Sequence, residues 1–180
     1  MSVLVSTIDH VPGRTRARRS PAFAHASESE LVDLLVRRMR TDYPVRAIGL
    51  EVKSHGRCRT DIGVLVRDIH GPRGSDLLLG VEAKLTDWTR ALRQAILNQY
   101  AVDGSLIAMP LERISDRVVD AAKKYGVGVL AIKGEHLTVV VPAVLGSPDY
   151  VLHRRMTLQL DDVKARGQSR VSDIARERLP

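Results

Sequence analysis

A chain of 180 residues that is 44% hydrophobic and 27% charged has the composition of a folded globular protein, and it excludes a disordered or collagen-like polymer. The aromatic share of 3% argues against a protein that binds single strands by stacking bases on aromatic side chains. The net charge of +7 favours a phosphate-rich partner, but charge alone indicates attraction rather than a binding site.

Cysteine content and hydropathy exclude several further classes of protein. Cys58 is the only cysteine, which excludes a disulfide framework and a cysteine-based zinc cluster. The first twenty residues place a short apolar run before the arginines, the reverse of the order in a secretory signal. Every apolar stretch is shorter than the roughly 18 residues that a membrane span requires. We therefore expect a cytoplasmic protein with no membrane partner.

Residues 1–26 lack a sustained hydrophobic period and are rich in arginine. They predict a basic flexible arm, for which phosphate contact and a solvated tail both remain open. The arginines proposed for nucleic-acid contact in this arm are Arg16, Arg18 and Arg19.

A first helix is predicted to begin after Ser27. Ser27 and Glu30 form a capping-box pattern, and the apolar residues that follow recur with a 3.6-residue period. Pro44 disfavours helical geometry in the residue before it, so the helix should end near Asp42.

The elements after this helix predict an α/β fold. Strands are expected over 46–54, 60–68 and 76–86, followed by a helix over 87–102 and a strand over 104–110. A third helix should open at Ser115 or Asp116 and close near Gly126, and two strands, 127–133 and 136–143, should follow. This order indicates an α/β sandwich with a mixed central sheet flanked by helices.

The chain is therefore divided into three parts. Residues 27–146 form the folded domain, between the arm over 1–26 and a basic C-terminal helical extension over 147–180. The extension is polar, and we expect peripheral helices or a partner-binding tail there.

Charged residues occur at one end of the apolar third strand. Side chains alternate faces along a strand, so Glu82 and Lys84 should stand on one face. Asp61 on the second strand would share a face with Gly63 and Leu65, and a hairpin between the two strands would bring it close to Glu82. Two converging carboxylates beside a lysine suit Mg²⁺ or Mn²⁺, which prefer oxygen ligands.

An isolated Glu-x-Lys is more often a surface salt bridge than a catalytic group. Glu51 and Lys53 repeat the same pattern on the first strand, without a predicted acidic partner on a paired strand. We interpret that pair as a solvated strand face. The spacing to Asp61 therefore carries the argument, rather than the tripeptide.

Asp61, twenty further residues and then Glu82-Ala83-Lys84, on an α-β-β-β-α-β frame, resemble the PD-(D/E)XK phosphodiesterase superfamily. This superfamily includes many restriction endonucleases and Holliday-junction resolvases. The resemblance covers roughly residues 27–110 and rests on the stretches ESELVDLL, RTDIGVLV and LGVEAK. It implies a restriction endonuclease-like fold, metal ligands at Asp61 and Glu82, and a catalytic role for Lys84.

The resemblance also implies a further acidic ligand on the first helix and a glutamine on the helix after the motif. Glu30 is explained by the capping box, whereas Glu28 shares a face with the apolar stripe, so Glu28 is favoured as the metal ligand. Gln94 is favoured over Gln99 because it lies nearer the end of the third strand.

This sequence departs from the superfamily pattern in two places. Asn98 stands where some relatives have a tyrosine four residues after the glutamine, and Thr60 stands where the motif has proline.

The function expected from these residues is metal-dependent hydrolysis of phosphodiester bonds in nucleic acid, with DNA favoured as the substrate. Arg57 and Arg59 flank the predicted site and are candidates for backbone contact. A catalytically idle nuclease-fold module that binds nucleic acid, or assembles into a repair or defence complex, is the alternative. The resemblance also makes a homodimer an expectation, since both strands of a duplex have to be cut.

Overall fold

The structure, a computed structural model, describes residues 27–54, 56, 58–68 and 76–166. The elements in chain order are α1 (Glu28–Asp42), β1 (Val45–Lys53), β2 (Arg59–Arg67), β3 (Asp76–Ala83), α2 (Trp88–Asn98), β4 (Gly104–Pro110), a 3₁₀ turn (Leu111–Arg113), α3 (Asp116–Lys124), β5 (Gly128–Lys133), β6 (His136–Val141) and α4 (Tyr150–Arg166). The predicted arm over 1–26 and the end of the predicted extension, 167–180, lie outside the described residues.

Helix α1 begins and ends where its sequence signals predict. The Ser27 hydroxyl accepts a hydrogen bond from the backbone N–H of Glu30 at 3.2 Å, which satisfies one of the free donors of the first turn. The helix ends at Asp42, and Tyr43 is already extended ahead of Pro44. Its buried side chains pack against one face of the sheet; they are Leu31, Leu34, Leu35 and Met39.

The described strands form one six-stranded mixed sheet in which the spatial order is the chain order, β1-β2-β3-β4-β5-β6. The pairs β1/β2, β2/β3 and β5/β6 are antiparallel, and the pairs β3/β4 and β4/β5 are parallel. The helices α2 and α3 connect the parallel strands, since parallel neighbours require a crossover. The prediction of an α/β fold with a mixed sheet flanked by helices is confirmed.

The two faces of the sheet bury different helices. Ile62, Val64 and Val66 of β2 belong to the hydrophobic cluster under α1. Leu65 of β2 points the other way and packs with residues of α4, while Ile107 of β4 packs with α2 and α3. Helix α1 therefore covers one face, and the other three helices cover the opposite face. Glu82 lies on that second face, in line with Ile107 across the β3/β4 pair.

Two elements end earlier than predicted. Strand β3 stops at Ala83 rather than at residue 86, because the chain turns there into the cap of α2, where Asp87 accepts the N–H of Arg90 at 3.0 Å. Helix α2 stops at Asn98 rather than at residue 102, because 99–102 form a tight turn. That turn brings Val102 against Gly80, where a Cβ on the glycine would lie 3.3 Å from Val102.

The described part of the predicted C-terminal extension is helical, as predicted, but it packs into the core of the fold rather than lying at its periphery. Helix α4 packs on β1 and β2, and its Met156, Leu160 and Val163 are almost completely buried. The buried face of α4 is hard to recognise in the sequence because charged residues are interspersed among these apolar positions. The second face of β1 and β2 therefore depends on α4 for its cover.

Leu160→Ala is expected to destabilise the fold by about 2–5 kcal/mol, because it removes a fully buried side chain and leaves a cavity beneath α4. Leu158→Ala on the same helix is the matched control; this side chain is exposed and should change stability by less than about 0.5 kcal/mol. Urea unfolding measures both changes. Equal effects of the two substitutions would contradict the packing of α4 described above.

Candidate functional site

Strands β2 and β3 bring Asp61 and Glu82 together by their register. The β2/β3 ladder ends with Ile62 paired to Val81, and Asp61 and Glu82 are the next residues of the two strands. The two side chains are close enough for the charge of Asp61 to raise the pKa of Glu82. The hairpin expected from the sequence is therefore present, and it juxtaposes the two carboxylates.

Asp61 fastens the end of β3. Its Oδ2 accepts the backbone N–H of Ala83 at 2.9 Å and a hydrogen bond from Lys84 Nζ at 3.1 Å. About a third of the side chain remains exposed, at 30%. Asp61 is thus held by β3 while part of the carboxylate still faces open space.

Lys84 joins three parts of the molecule. Its Nζ donates to Glu28 Oε2 at 3.2 Å, to Asp61 Oδ2 at 3.1 Å and to the carbonyl of Ala83 at 2.9 Å. Because β3 ends at Ala83, Lys84 lies beyond the strand, and its amine reaches the start of α1. Glu28 is therefore at the site, in contact with the lysine.

The charge of Lys84 is stabilised by its neighbours. Burial is the largest influence and by itself would lower the pKa of Lys84. The charges and hydrogen bonds of Asp61 and then Glu28 outweigh it, so that the pKa of Lys84 is raised. The lysine is consequently a cation at neutral pH, suited to offset negative charge and unsuited to act as a general base.

Glu82 is the most enclosed charged group of the site, with none of its surface exposed. Asn98 Nδ2 donates to its Oε1 at 2.6 Å, whereas Oε2 has no hydrogen-bond partner among the described residues. Burial, followed by the negative charge of Asp61, raises the pKa of Glu82 to about 7; the hydrogen bond from Asn98, the nearby Thr60 hydroxyl and the charge of Lys84 act in the opposite direction. The buried Oε2 needs a proton or a cation.

A cavity of about 340 Å³ opens beside these groups. It is lined by Glu51, Cys58, Arg59, Thr60, Asp61, Gln94, Leu97 and Asn98. Gln94 Oε1 is buried and lacks a hydrogen-bond partner in the described part of the chain. The unpaired amide oxygen of Gln94, in a cavity that also has charged side chains in its lining, is an atom where a polar ligand would gain a hydrogen bond.

The structure separates the two predicted glutamines. Gln94 lines the cavity, while Gln99 Nε2 donates to the carbonyl of Tyr125 at 2.9 Å, at the end of α3. Gln94 is thus the glutamine that lies at the site.

Sequence reasoning missed Asn98 and Thr60 as members of the site. Asn98 was noted only as a departure from the superfamily pattern, yet it lies one helical turn after Gln94 and so shares its face. A buried glutamate on β3 requires a donor from the helix packed above it, and this requirement could have identified Asn98. Thr60 contacts the carbonyl of Val81 at 3.3 Å.

Glu51 and Lys53 are exposed, as expected of a solvated strand face, but the expectation that Glu51 has no acidic residue opposite it on a paired strand is wrong. Leu50 pairs with Ile62 and Val52 pairs with Thr60, so Glu51 lies opposite Asp61 on the paired strand. Glu51 also lines the cavity and forms an ion pair with Arg59. The antiparallel register of β1 and β2, which the residue pattern of β1 alone does not reveal, places Asp61 opposite Glu51.

The structure describes only one of the arginines predicted to contact nucleic acid. Arg59 lies at the cavity, whereas Arg57, Arg16, Arg18 and Arg19 fall outside the described residues. The described residues contain no group of three histidine, cysteine, aspartate or glutamate side chains arranged to hold a metal ion. Asp61 and Glu82 are two carboxylates of the site whose charges affect each other.

Comparisons with known proteins inform the fold alone. The sequence matches no protein-family profile and no curated protein. A solved structure, described as a protein of unknown function from Silicibacter pomeroyi, is similar with a TM-score of 0.53 and 18% identity. The match covers 73% of this chain and 82% of that one. Along the ranges described above, none of the helices has the length and apolar character needed to cross a membrane.

The raised pKa of Glu82 predicts a pH dependence of stability. In the folded state the Glu82 carboxyl keeps its proton up to about pH 7, whereas in the unfolded chain it loses the proton near its ordinary pKa of 4.5. Between these two pH values the folded state therefore binds more protons than the unfolded state. Stability should then fall as pH rises from about 4.5 to about 7 and level off above. Glu82→Gln removes this loss, so its stability relative to wild type should grow across the window by on the order of 1–3 kcal/mol.

Urea unfolding at several pH values in EDTA measures this difference. Glu112→Gln, at an exposed position on the 3₁₀ turn, makes the same chemical change outside the site and is the control. A pH-independent difference for Glu82→Gln would show that Glu82 titrates normally.

Proposed function

We propose that this chain is a metal-dependent nuclease that hydrolyses phosphodiester bonds of nucleic acid, with DNA as the favoured polymer. The observation that carries the proposal is the proximity of Asp61 on β2 to Glu82 on β3, next to the cationic Lys84. The resemblance of these residues, and of the α-β-β-β-α-β element order, to the PD-(D/E)XK superfamily supports the same function. A restriction endonuclease-like topology is part of this proposal.

The carboxylate oxygens of the site support a Mg²⁺ or Mn²⁺ ion in this proposal. Both ions prefer oxygen ligands, and the buried, unpaired Oε2 of Glu82 is a donor atom that lacks a partner within the described structure. Asp61 supplies the second carboxylate. Glu28, the third proposed ligand, shares the Lys84 amine with Asp61, since Lys84 Nζ donates a hydrogen bond to both carboxylates. When bound, such an ion polarises a phosphodiester and lowers the pKa of water.

The remaining chemistry belongs to the side chains of this chain. Lys84 is held charged by Asp61 and Glu28, so it can stabilise the negative charge that develops on a phosphate during hydrolysis. Gln94 and Asn98 present amide groups at the cavity and can orient the reacting groups there. Asp61 also keeps Ala83 and Lys84 in position through its two hydrogen bonds.

Substrate binding in this proposal relies on the backbone of the nucleic acid. The net charge of +7 and the arginine at the cavity favour contact with phosphates over recognition of bases. Binding should accordingly weaken steeply with salt. A homodimer that cuts both strands of a duplex is included in the proposal, on the resemblance alone.

An idle nuclease-fold module that binds nucleic acid or assembles into a repair or defence complex is the second candidate. It is favoured by the finding that the acidic residues described here do not form a ready three-ligand group. Such a module would bind nucleic acid with the same salt dependence and would lack metal-dependent cleavage.

The purified protein is expected to cleave at least one of plasmid, single-stranded DNA, branched DNA and RNA with Mg²⁺ or Mn²⁺, and EDTA should abolish cleavage. Lys84→Ala should lower the rate by about 10²-fold or more, because it removes a cation that stabilises the transition state. Asp61→Asn should have an effect of similar size. Electrophoresis of labelled substrates measures these rates.

Lys53→Ala is the matched control, since Lys53 belongs to the other Glu-x-Lys of the sequence and is exposed on β1. It should cleave at the wild-type rate. If the wild-type protein cleaves none of these substrates with either metal, or if Lys84→Ala leaves cleavage unchanged, the proposed catalytic function is wrong.

A further inference from the structure

An ion pair lies at the edge of the cavity. Arg59 Nη1 and Glu51 Oε2 are 3.4 Å apart, and both side chains are about half exposed, at 48% and 56%. The two residues lie on the paired strands β1 and β2. Arg59 is paired with Lys53, two residues along β1 from Glu51, and Glu51 itself stands opposite Asp61. Arg59 carries the single positive charge among the described residues that line the cavity.

Glu51 is brought to this position by an unusual backbone conformation. Its φ is +52°, the only positive value at a described residue other than glycine, and a glutamate pays a conformational cost there. Strand alternation is broken at this point: Leu50 packs under α1, whereas Val52, two residues later, packs under α4 on the opposite face. The break leaves the Glu51 carboxylate beside Asp61 and Arg59.

We propose that Arg59 binds a backbone phosphate of the nucleic acid at the cavity, and that the Glu51 carboxylate occupies Arg59 until the phosphate displaces it. This inference rests on the proposed function, because it takes nucleic acid as the ligand. It assigns Glu51 a part in substrate binding that opposes affinity, rather than a part in catalysis.

The exchange is favoured by the chemistry of the two acceptors. A guanidinium can donate two parallel hydrogen bonds to a phosphate, while the present contact with Glu51 is a single, long one. A half-exposed ion pair of this kind is weak, since water competes for both groups. A phosphate that enters also releases condensed counterions, which adds to its affinity for Arg59.

The local charges explain why such a competitor would matter. Asp61 is already offset by Lys84 at 3.1 Å, and Lys84 is also paired with Glu28. Arg59 is then left to attract the polyanion at the cavity lining, and Glu51 neutralises it. Removing the Glu51 charge should therefore strengthen binding through Arg59.

Glu51→Gln is expected to tighten binding of a fluorescein-labelled random-sequence DNA duplex roughly two- to fivefold, the range that a half-exposed ion pair supports. Arg59→Gln should weaken binding and reduce the slope of log affinity against log salt by about one. The double variant should bind like Arg59→Gln. Fluorescence anisotropy of the full-length protein in EDTA, where cleavage is expected to be absent, measures all four proteins over a range of salt.

Glu135→Gln, an exposed position between β5 and β6, changes the net charge by the same amount and is the control. Supporting results are a gain for Glu51→Gln that exceeds the gain for Glu135→Gln and that disappears when Arg59 is replaced. An equal gain in both variants, or a gain that persists without Arg59, overturns the inference and leaves the nuclease proposal standing. If neither wild type nor Glu51→Gln binds DNA, the inference fails; if metal-dependent cleavage is also absent, the proposed function fails with it.

Discussion

The enclosure of the Glu82 carboxylate between the sheet and α2 is the constraint around which the site is organised. A buried carboxylate is costly to ionise unless hydrogen bonds or opposite charge compensate for the lost water. Asn98 satisfies one oxygen, Asp61 adds a second negative charge nearby, and Lys84 compensates only in part. A site with two neighbouring carboxylates and one unsatisfied oxygen attracts positive charge, which is the electrostatic basis of the metal proposal.

The fold supplies this arrangement from both sides of the sheet. Helix α1, which lies over one face, brings Glu28 at its first residue to the end of β3. Helix α2, on the other face, brings Asn98 and Gln94. Lys84, just past the end of β3, contacts Glu28 of α1 and Asp61 of β2 and thereby links helix α1 to the sheet. The site thus depends on the docking of helices that pack in separate hydrophobic clusters.

The sequence predicted the features that follow from local rules. The Ser27 cap and the end of α1 before Pro44 each depend on neighbouring residues, and each is found in the structure. The proximity of Asp61 and Glu82 followed from assuming that consecutive strands form a hairpin.

The features that were missed depend on long-range packing. Asn98 became a partner of Glu82 because α2 crosses β3, and Glu51 reached the cavity because its positive φ breaks the strand alternation. Local residue patterns do not encode a left-handed glutamate, and the only signal for Asn98 is the need of a buried glutamate for a donor on the helix packed above it. The burial of Leu160 was missed for the same reason, since α4 contacts strands more than a hundred residues earlier, as the 106-residue separation of Lys53 and Gln159 illustrates.

That separation bears on how the protein is made. The sheet adds its strands in chain order, so each new strand can pair with the one before it as the polypeptide leaves the ribosome. The face of β1 and β2 under α4 is different, because its cover is synthesised after the whole sheet. Val52 and Leu65 therefore remain uncovered during translation until Met156 and Leu160 emerge, and this exposed surface is where a nascent chain would need a chaperone.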